Sequence, residues 1–189
     1  MHVLALALTA LVTAGGGTPA LAPNSTLVPW FVPRQASLGL FINSGAVSPN
    51  VRLGWEISVL EQPRNDLVIV LDVGSSTSLA LPLGLRALYQ HVAVVGVGYR
   101  SNREVLHWGF QLTAGAVWYR AAFDPRTPYL FENRVLSYSE GRVQLGARLK
   151  EHFIVAGYVG YAAPWSIAPR FPANIYVGGP VAGLVVDWR

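Results

Sequence analysis

The segment Leu106–Tyr119, LHWGFQLTAGAVWY, alternates between two kinds of residue with a period of two. The positions from Leu106 to Trp118 that share one parity are all apolar. The other parity, from His107 to Tyr119, mixes polar residues and glycines with a single valine. Successive side chains of a β-strand point to opposite faces, so this pattern predicts a strand with one apolar face. At helical spacing the same apolar residues would spread around the whole helix, which excludes an amphipathic helix.

The same alternation recurs along the chain and predicts eight strands in all. The other seven are expected at 37–43, 51–59, 67–74, 92–100, 135–149, 153–162 and 181–188. The strands average roughly ten residues, the length that a tilted strand needs to cross a bilayer. Short polar connections are predicted at 61–66, 101–104 and 150–152. The connections that alternate with them are predicted as outer loops, on the opposite side of the sheet. These lie at 44–50, which is short, and at 74–91, 121–134 and 163–174, which are long.

The composition excludes several classes of protein. The chain has 189 residues, of which 13% are charged and 52% hydrophobic, and its mean hydropathy is +0.37. Such a chain is too apolar for intrinsic disorder. The absence of cysteine excludes a disulfide scaffold and a thiolate metal centre. No two histidines lie at metal-ligand spacing, so neither a metal nor another cofactor is predicted.

Charge and hydropathy exclude two further interpretations. The net charge of +4 comes mainly from arginines spaced singly along the chain, which does not predict a nucleic-acid partner. The most apolar window after the first 22 residues, 80–99, contains Pro82, Arg86 and His91. These residues argue against a transmembrane helix, which needs about 20 predominantly apolar residues.

The first 22 residues have the features of a cleavable signal peptide. The apolar run at 3–13 is followed by three glycines and by Ala20-Leu21-Ala22, a small-x-small cleavage site. Cleavage after Ala20 is the alternative to cleavage after Ala22, because Pro23 would lie next to the bond. We therefore predict a signal peptide at 1–22, a lead-in segment at 23–34 and a barrel at 35–189. An N-terminal core helix is the alternative for the first segment.

Alternation alone does not show which face meets water, but three features favour a membrane barrel over a soluble, lipocalin-like one. The less apolar parity is rich in small residues and arginine, which suits a narrow lumen. Short and long connections alternate, as they do in outer-membrane barrels. Large aromatic residues also lie near strand ends, where they would form girdles at the interfaces. The predicted membrane-facing aromatic residues are Trp55, Tyr99, Trp108, Phe110, Trp118 and Trp188.

The last strand adds a feature of barrel assembly. Gly183, Val186 and Trp188 resemble the Gly-x-x-apolar-x-aromatic signal at the end of outer-membrane barrels, although Val181 and Arg189 depart from it. In strand number, parity and loop asymmetry the chain resembles small outer-membrane barrels of the OmpA and OmpX type. The resemblance implies an all-β, antiparallel, up-and-down, eight-stranded transmembrane β-barrel in the outer membrane of a Gram-negative cell. It also implies two partners, outer-membrane lipid and the assembly machinery.

The inward parity predicts a polar cluster in the lumen. Unpaired charges in a nearly dry interior are costly, so these side chains are expected to pair and to plug an eight-stranded barrel. A valine-rich part of the same parity leaves the alternative of a narrow channel for small apolar solutes. The predicted lumen residues are Arg52, Glu56, Asp72, Arg100, His107, Gln111, Tyr119, Glu140, Arg142, Gln144, Arg148 and Asp187.

No catalytic residues are predicted, and the expected role is structural or interactive, with a surface ligand bound by the long apolar loops. A lipid-modifying hydrolase at the outer rim is the remaining alternative. Its candidate residues would be Asp72, Ser75, Ser76 and His91. Asp72 and His91 have opposite predicted facing, and the chain lacks the His-x-Ser-Asn type of segment found in lipid A deacylases. With no domain after Arg189, tethering to the cell wall is not expected.

Overall fold

The chain forms a closed β-barrel of eight antiparallel strands. The computed structural model describes residues 32–61, 65–102, 105–126, 130–150, 153–165 and 173–188. The strands are β1 (Gln35–Asn43), β2 (Ala46–Glu61), β3 (Asn65–Thr77), β4 (Leu85–Asn102), β5 (Leu106–Phe123), β6 (Phe131–Lys150), β7 (Phe153–Trp165) and β8 (Gly179–Trp188). A short 3-10 helix, Asn174–Tyr176, precedes β8.

Each strand pairs with its neighbours in sequence, and β8 pairs with β1 to complete the barrel. The closing register runs from Gln35 opposite Asp187 to Phe41 opposite Val181. Closure pairs the strands on both sides, which is how a sheet satisfies its backbone in lipid. The prediction of an eight-stranded antiparallel barrel is confirmed. The predicted signal peptide at 1–22 lies outside the described residues.

The barrel has a turn end and a loop end. The turn end carries the connections at 62–64, 103–105 and 151–152, and the loop end carries those at 44–45, 78–84, 124–130 and 166–178. The connections after β3 and β5 are shorter than predicted, because the strands that flank them continue past the regular apolar alternation. For example, Leu88 to Gln90 already pair with Tyr119 to Ala121 as part of β4.

The predicted loop at 44–50 is wrong. Ser44 and Gly45 have φ values of 49° and 85°, and they form a two-residue turn from which β2 starts directly. Positive φ at both positions matches the type I′ hairpin, whose twist fits that of the flanking strands. Pro49, which lacks an N–H, lies opposite Leu40 on β1, before the pairing of β2 with β3 begins at Asn50.

The loop at 78–84 extends the sheet instead of leaving it. The N–H of Leu79 donates to the carbonyl of Val47 at 2.8 Å, and the N–H of Val47 donates to the carbonyl of Ala80 at 3.0 Å. The next loop is joined to it, because the N–H of Asp124 donates to the carbonyl of Gly84 at 2.9 Å. Backbone hydrogen bonds therefore join the connection after β3 both to β2 and to the start of the connection after β5.

The two faces of the barrel differ sharply. Outward positions such as Leu112, Val143 and Leu184 are exposed, whereas their neighbours in sequence are mostly buried. Apolar side chains from several strands, Leu88 and Val117 among them, form a core inside the lumen. In the part of the chain that the structure describes, no helix is both long and apolar enough to cross a membrane.

Candidate functional site

A cluster of ionic side chains crosses the middle of the lumen and centres on Glu140. The Arg52 guanidinium lies 2.7 Å from the Glu140 carboxylate, and Arg142 contacts the other carboxylate oxygen. The Tyr138 hydroxyl donates to Glu140 at 2.9 Å, and Asp72 lies 3.4 Å from Arg142. Arg52, Asp72 and Arg142 come from three different strands, with Arg142 on a strand remote from the other two, so the cluster ties opposite walls of the barrel together.

A second ionic cluster lies nearer the turn end and centres on Arg100. Its guanidinium contacts Glu56 and lies 2.8 Å from the Asp187 carboxylate. Glu56 is on β2, Arg100 on β4 and Asp187 on β8, so this cluster also joins separate strands. Breaking a buried ion pair by removing one partner costs about 3–5 kcal/mol, because the charge that remains is buried and uncompensated.

The remaining predicted lumen residues are placed as follows. His107 and Gln144 are buried beside each other, with 3.4 Å between the His107 Nε2 and the Gln144 Nε2 atoms. Gln111 is buried on β5, and Arg148 is half-buried towards the turn end. Tyr119 is buried near the loop end and donates to Glu132 instead of joining either ionic cluster.

Tyr138 and Glu132 are among the buried polar residues that sequence reasoning missed. Tyr138 has the same parity as Glu140, but serines and a glycine around them blur the alternation in that part of β6. Glu132 fell inside the loop predicted at 121–134, although it is buried on β6 and accepts a hydrogen bond from the N–H of Ala173 at 3.2 Å. Only a prediction that strand 6 starts before residue 132 would have placed Glu132 in the lumen.

The mouth at the loop end is filled by apolar side chains. Ala173 and Val177, from the loop before β8, are 0% and 1% exposed and pack with Phe41 and Leu136. Their burial means that residues 173–178 fold over the lumen. Between this cap and the ionic clusters lies a cavity of about 10 Å³ beside Asn50, which is room for one water molecule.

At the loop end of the outer surface, a serine and a histidine are in contact. Ser75 on β3 and His91 on β4 lie opposite each other, and the Ser75 Oγ and His91 Nδ1 atoms are 2.7 Å apart. The His91 ring stacks on Trp118 with 4.9 Å between the ring centroids. The Trp118 indole N–H in turn donates to Asn133. All of these side chains are exposed on the outside of the barrel.

The four residues considered for a rim hydrolase therefore separate into two sets. Ser75 and His91 meet outside, whereas Asp72 and Ser76 are buried inside. Asp72 faces Arg142, so the wall of the barrel separates its carboxylate from the His91 ring. The outer pair consequently has a candidate nucleophile and a candidate base, without Asp72 as the third member.

The predicted membrane-facing aromatic residues are distributed over the outer surface. Tyr99 packs against Trp108 and Phe110, with centroid separations of 5.4 and 5.7 Å, near the turn end. Trp118 lies near the loop end of the same strand as Trp108, while Trp55 and Trp188 are half-buried on β2 and β8. Aromatic side chains thus mark both ends of the apolar band on β5.

The residues of the predicted assembly signal lie on β8, beside the closing seam with β1. Gly183 lies opposite Gly39, and a Cβ atom added to Gly183 would come within 2.2 Å of the Leu38 carbonyl oxygen. Val186 and Trp188 are half-buried. Gly183 consequently has a steric role in closure, independent of recognition by assembly machinery. Within the described ranges, no group of three or more His, Cys, Asp and Glu side chains is arranged to hold a metal ion.

Comparisons with known proteins identify the fold. No family model matches the chain, and no curated protein matches it. Among solved structures, the outer membrane enzyme PagL is 11% identical, with a TM-score of 0.53, and the match covers 82% of this chain and 99% of PagL. Ail, the attachment invasion locus protein of Yersinia pestis, is 9% identical, with a TM-score of 0.44, and the match covers 83% and 99% of the two chains. The protein therefore has the closed, eight-stranded, antiparallel fold of small outer-membrane β-barrels.

Proposed function

We propose that the protein is an outer-membrane barrel with a plugged lumen and a structural or surface-interaction role. In this account a signal peptide exports the chain, the assembly machinery inserts it, and the apolar outer face lies in lipid. The loop end faces the exterior, because long loops are extracellular and short turns periplasmic in barrels of this kind.

The filled lumen is the observation that carries this proposal. Arg52 and Glu140 are almost fully buried, at 2% and 0% side-chain exposure, and they cross the middle of the barrel. The cap containing Ala173 and Val177 fills the mouth above them. An eight-stranded barrel is just wide enough for side chains to fill, so these two layers of described residues block an aqueous path.

The loop end favours interaction with a partner, because large apolar side chains are exposed there. Leu79 and Leu83 are 77% and 104% exposed, and Leu130 and Ile175 are also exposed. Apolar side chains grouped on a surface usually mark a contact site. Backbone hydrogen bonds to Val47 and Asp124 hold the segment that carries Leu79 and Leu83, which suits recognition of a surface ligand.

We expect the purified protein to give no single-channel currents in planar lipid bilayers. The ionic clusters and the apolar cap block ions, so the current should stay at the baseline of the protein-free membrane. A sixteen- or eighteen-stranded porin, which has an aqueous channel, provides the positive reference in the same bilayers. Steady unitary currents, or uptake of small apolar solutes into liposomes, would instead support the narrow-channel alternative.

A second candidate function, hydrolysis of a lipid ester, rests on the contact between Ser75 and His91. In such a reaction the Ser75 oxygen attacks the ester carbonyl, and His91 accepts the serine proton and passes it to the leaving alcohol. Water then cleaves the acyl-serine bond. The pair lies on the outer surface near the loop end, where it would meet the ester bonds of outer-leaflet lipids.

This candidate is tested with the purified protein in liposomes of ester-linked lipid. It predicts release of fatty acid, and it predicts that Ser75→Ala and His91→Ala each abolish the release. Ser76→Ala is the matched control, because Ser76 is adjacent but buried inside the barrel. If fatty acid is not released, or if Ser75→Ala releases it at the same rate, the hydrolase candidate is excluded.

A further inference from the structure

The outer face of the barrel has a groove across β6, β7 and β8. Its volume is about 360 Å³, and its lining includes Val143, Leu145 and Val159 as well as the small residues Gly157 and Ala182. Gly157 lies between Leu145 on β6 and Leu184 on β8. The groove is therefore a strip of missing side-chain volume between branched apolar residues.

Gly157 has no local reason to be glycine. Its φ is not positive, and a Cβ atom added there would meet no heavy atom closer than the Gly183 carbonyl oxygen at 3.9 Å. Gly183, on the next strand, would collide with backbone, so a steric requirement explains that glycine but not Gly157. Glycine weakens a strand interior by roughly 0.5–1 kcal/mol relative to alanine. The absence of a side chain at Gly157 thus destabilises the barrel slightly, and it leaves the space that forms the groove.

The position and size of the groove indicate its occupant. Gly157 is four residues from Phe153 at the turn end of β7, which places it about 10 Å into the apolar band for a strand tilted about 40°. The exposed walls are aliphatic, so the groove offers no charged group to a polar ligand. The groove is lined by eight residues, whereas a stable protein interface takes roughly 20–30 residues on each side.

We propose that this groove binds one acyl chain of a phospholipid in the leaflet on the turn-end side. The proposal rests on the proposed function, since it requires the outer face of the barrel to lie in lipid. The aliphatic walls would surround the chain on two sides, and the floor at Gly157 and Ala182 would let it lie against the backbone. The bound lipid should consequently exchange more slowly than lipids elsewhere on the barrel.

Native mass spectrometry tests the proposal with palmitoyl-oleoyl-phosphatidylethanolamine as the probe. The full protein is reconstituted in liposomes of this lipid, extracted into mild detergent and compared with two variants. Gly157→Leu fills the groove without a steric conflict at Cβ. Ala114→Leu, at an exposed outward position on β5, is the control for added bulk on the lipid-facing surface.

The wild-type protein and Ala114→Leu should each retain a single phospholipid. Gly157→Leu should retain at least about tenfold less, because the leucine side chain takes the space in which the acyl chain would be buried. Equal retention by Gly157→Leu would overturn the proposal. A dimer that only Gly157→Leu disrupts would also overturn it, by assigning the groove to a second copy.

Liposome flotation of the same samples separates the acyl-chain proposal from the proposed function. If the wild-type protein floats with liposomes but retains no lipid, only the acyl-chain proposal is overturned, because the barrel would still lie in the membrane. Loss of flotation by the wild-type protein overturns the proposed function too.

Discussion

Replacing Glu140 with glutamine is expected to lower the free energy of unfolding by about 3–5 kcal/mol. Glu140 neutralises both Arg52 and Arg142 and accepts the Tyr138 hydroxyl in the middle of the lumen. The amide is close in size but uncharged, so it would leave the two buried guanidinium groups with only Asp72 as a counter-charge in this cluster. Urea titration of the refolded protein in detergent micelles, followed by tryptophan fluorescence, measures the change.

The matched control is Asp124→Asn, which removes one charge from an exposed ion pair. Asp124 lies 3.5 Å from Arg86, and the two side chains are 36% and 60% exposed. Exposed pairs contribute about 0–1 kcal/mol, so this variant should unfold almost as the wild-type protein does. The structural role given to Glu140 would be wrong if its variant lost no more stability than the control.

Replacing Gly183 with valine should disrupt closure of the barrel. The added Cβ would come within 2.5 Å of the Gly39 Cα atom as well as colliding with the Leu38 carbonyl, so β1 and β8 would have to separate. Overpacking of a well-packed site costs about 1–3 kcal/mol, and here the displaced atoms are backbone. We expect a smaller fraction of the chain to refold from urea into the compact, heat-modifiable form seen on gels.

Gly157→Val provides the comparison, because it makes the same substitution where the added Cβ has room. A β-branched residue suits a strand, so this variant should refold at least as well as the wild-type protein. Refolding in detergent contains no assembly machinery, which isolates the steric effect. If Gly183→Val refolded normally in detergent and failed only in cells, the glycine would act as part of the assembly signal and not through packing.

The strands could be predicted because alternation with a period of two shows which side chains share a face of the sheet. In Leu106–Tyr119 the alternation is almost unbroken, and β5 begins at the predicted residue. At the loop end the alternation does not show where the strands stop, because strand continuation there depends on hydrogen bonds to neighbouring strands. Val47 and Ala80 illustrate this, since their pairing joins a loop to a strand. The bonds are made by backbone groups, so they do not depend on side-chain type and cannot be seen in the sequence.

Inward facing could likewise be predicted, but the contacts inside the lumen could not. Parity places Asp72 inside without showing that it meets Arg142, which is on a strand across the barrel. The contact between Ser75 and His91 depends on the register of β3 against β4, which the long connection between them leaves open in the sequence. Facing is a local property of one strand, whereas these contacts arise from the closed geometry of the whole barrel.

Spin labels on single cysteines test most directly whether the apolar parity faces lipid. The chain contains no cysteine, so Leu112→Cys and Thr113→Cys each give one labelling site on adjacent residues of β5. Leu112 is 57% exposed on the outside, and Thr113 is 8% exposed in the lumen. In liposomes, the label at 112 should collide freely with oxygen and little with a water-soluble nickel chelate, while the label at 113 should be shielded from both. A label at 112 that the nickel chelate reaches freely would contradict the account.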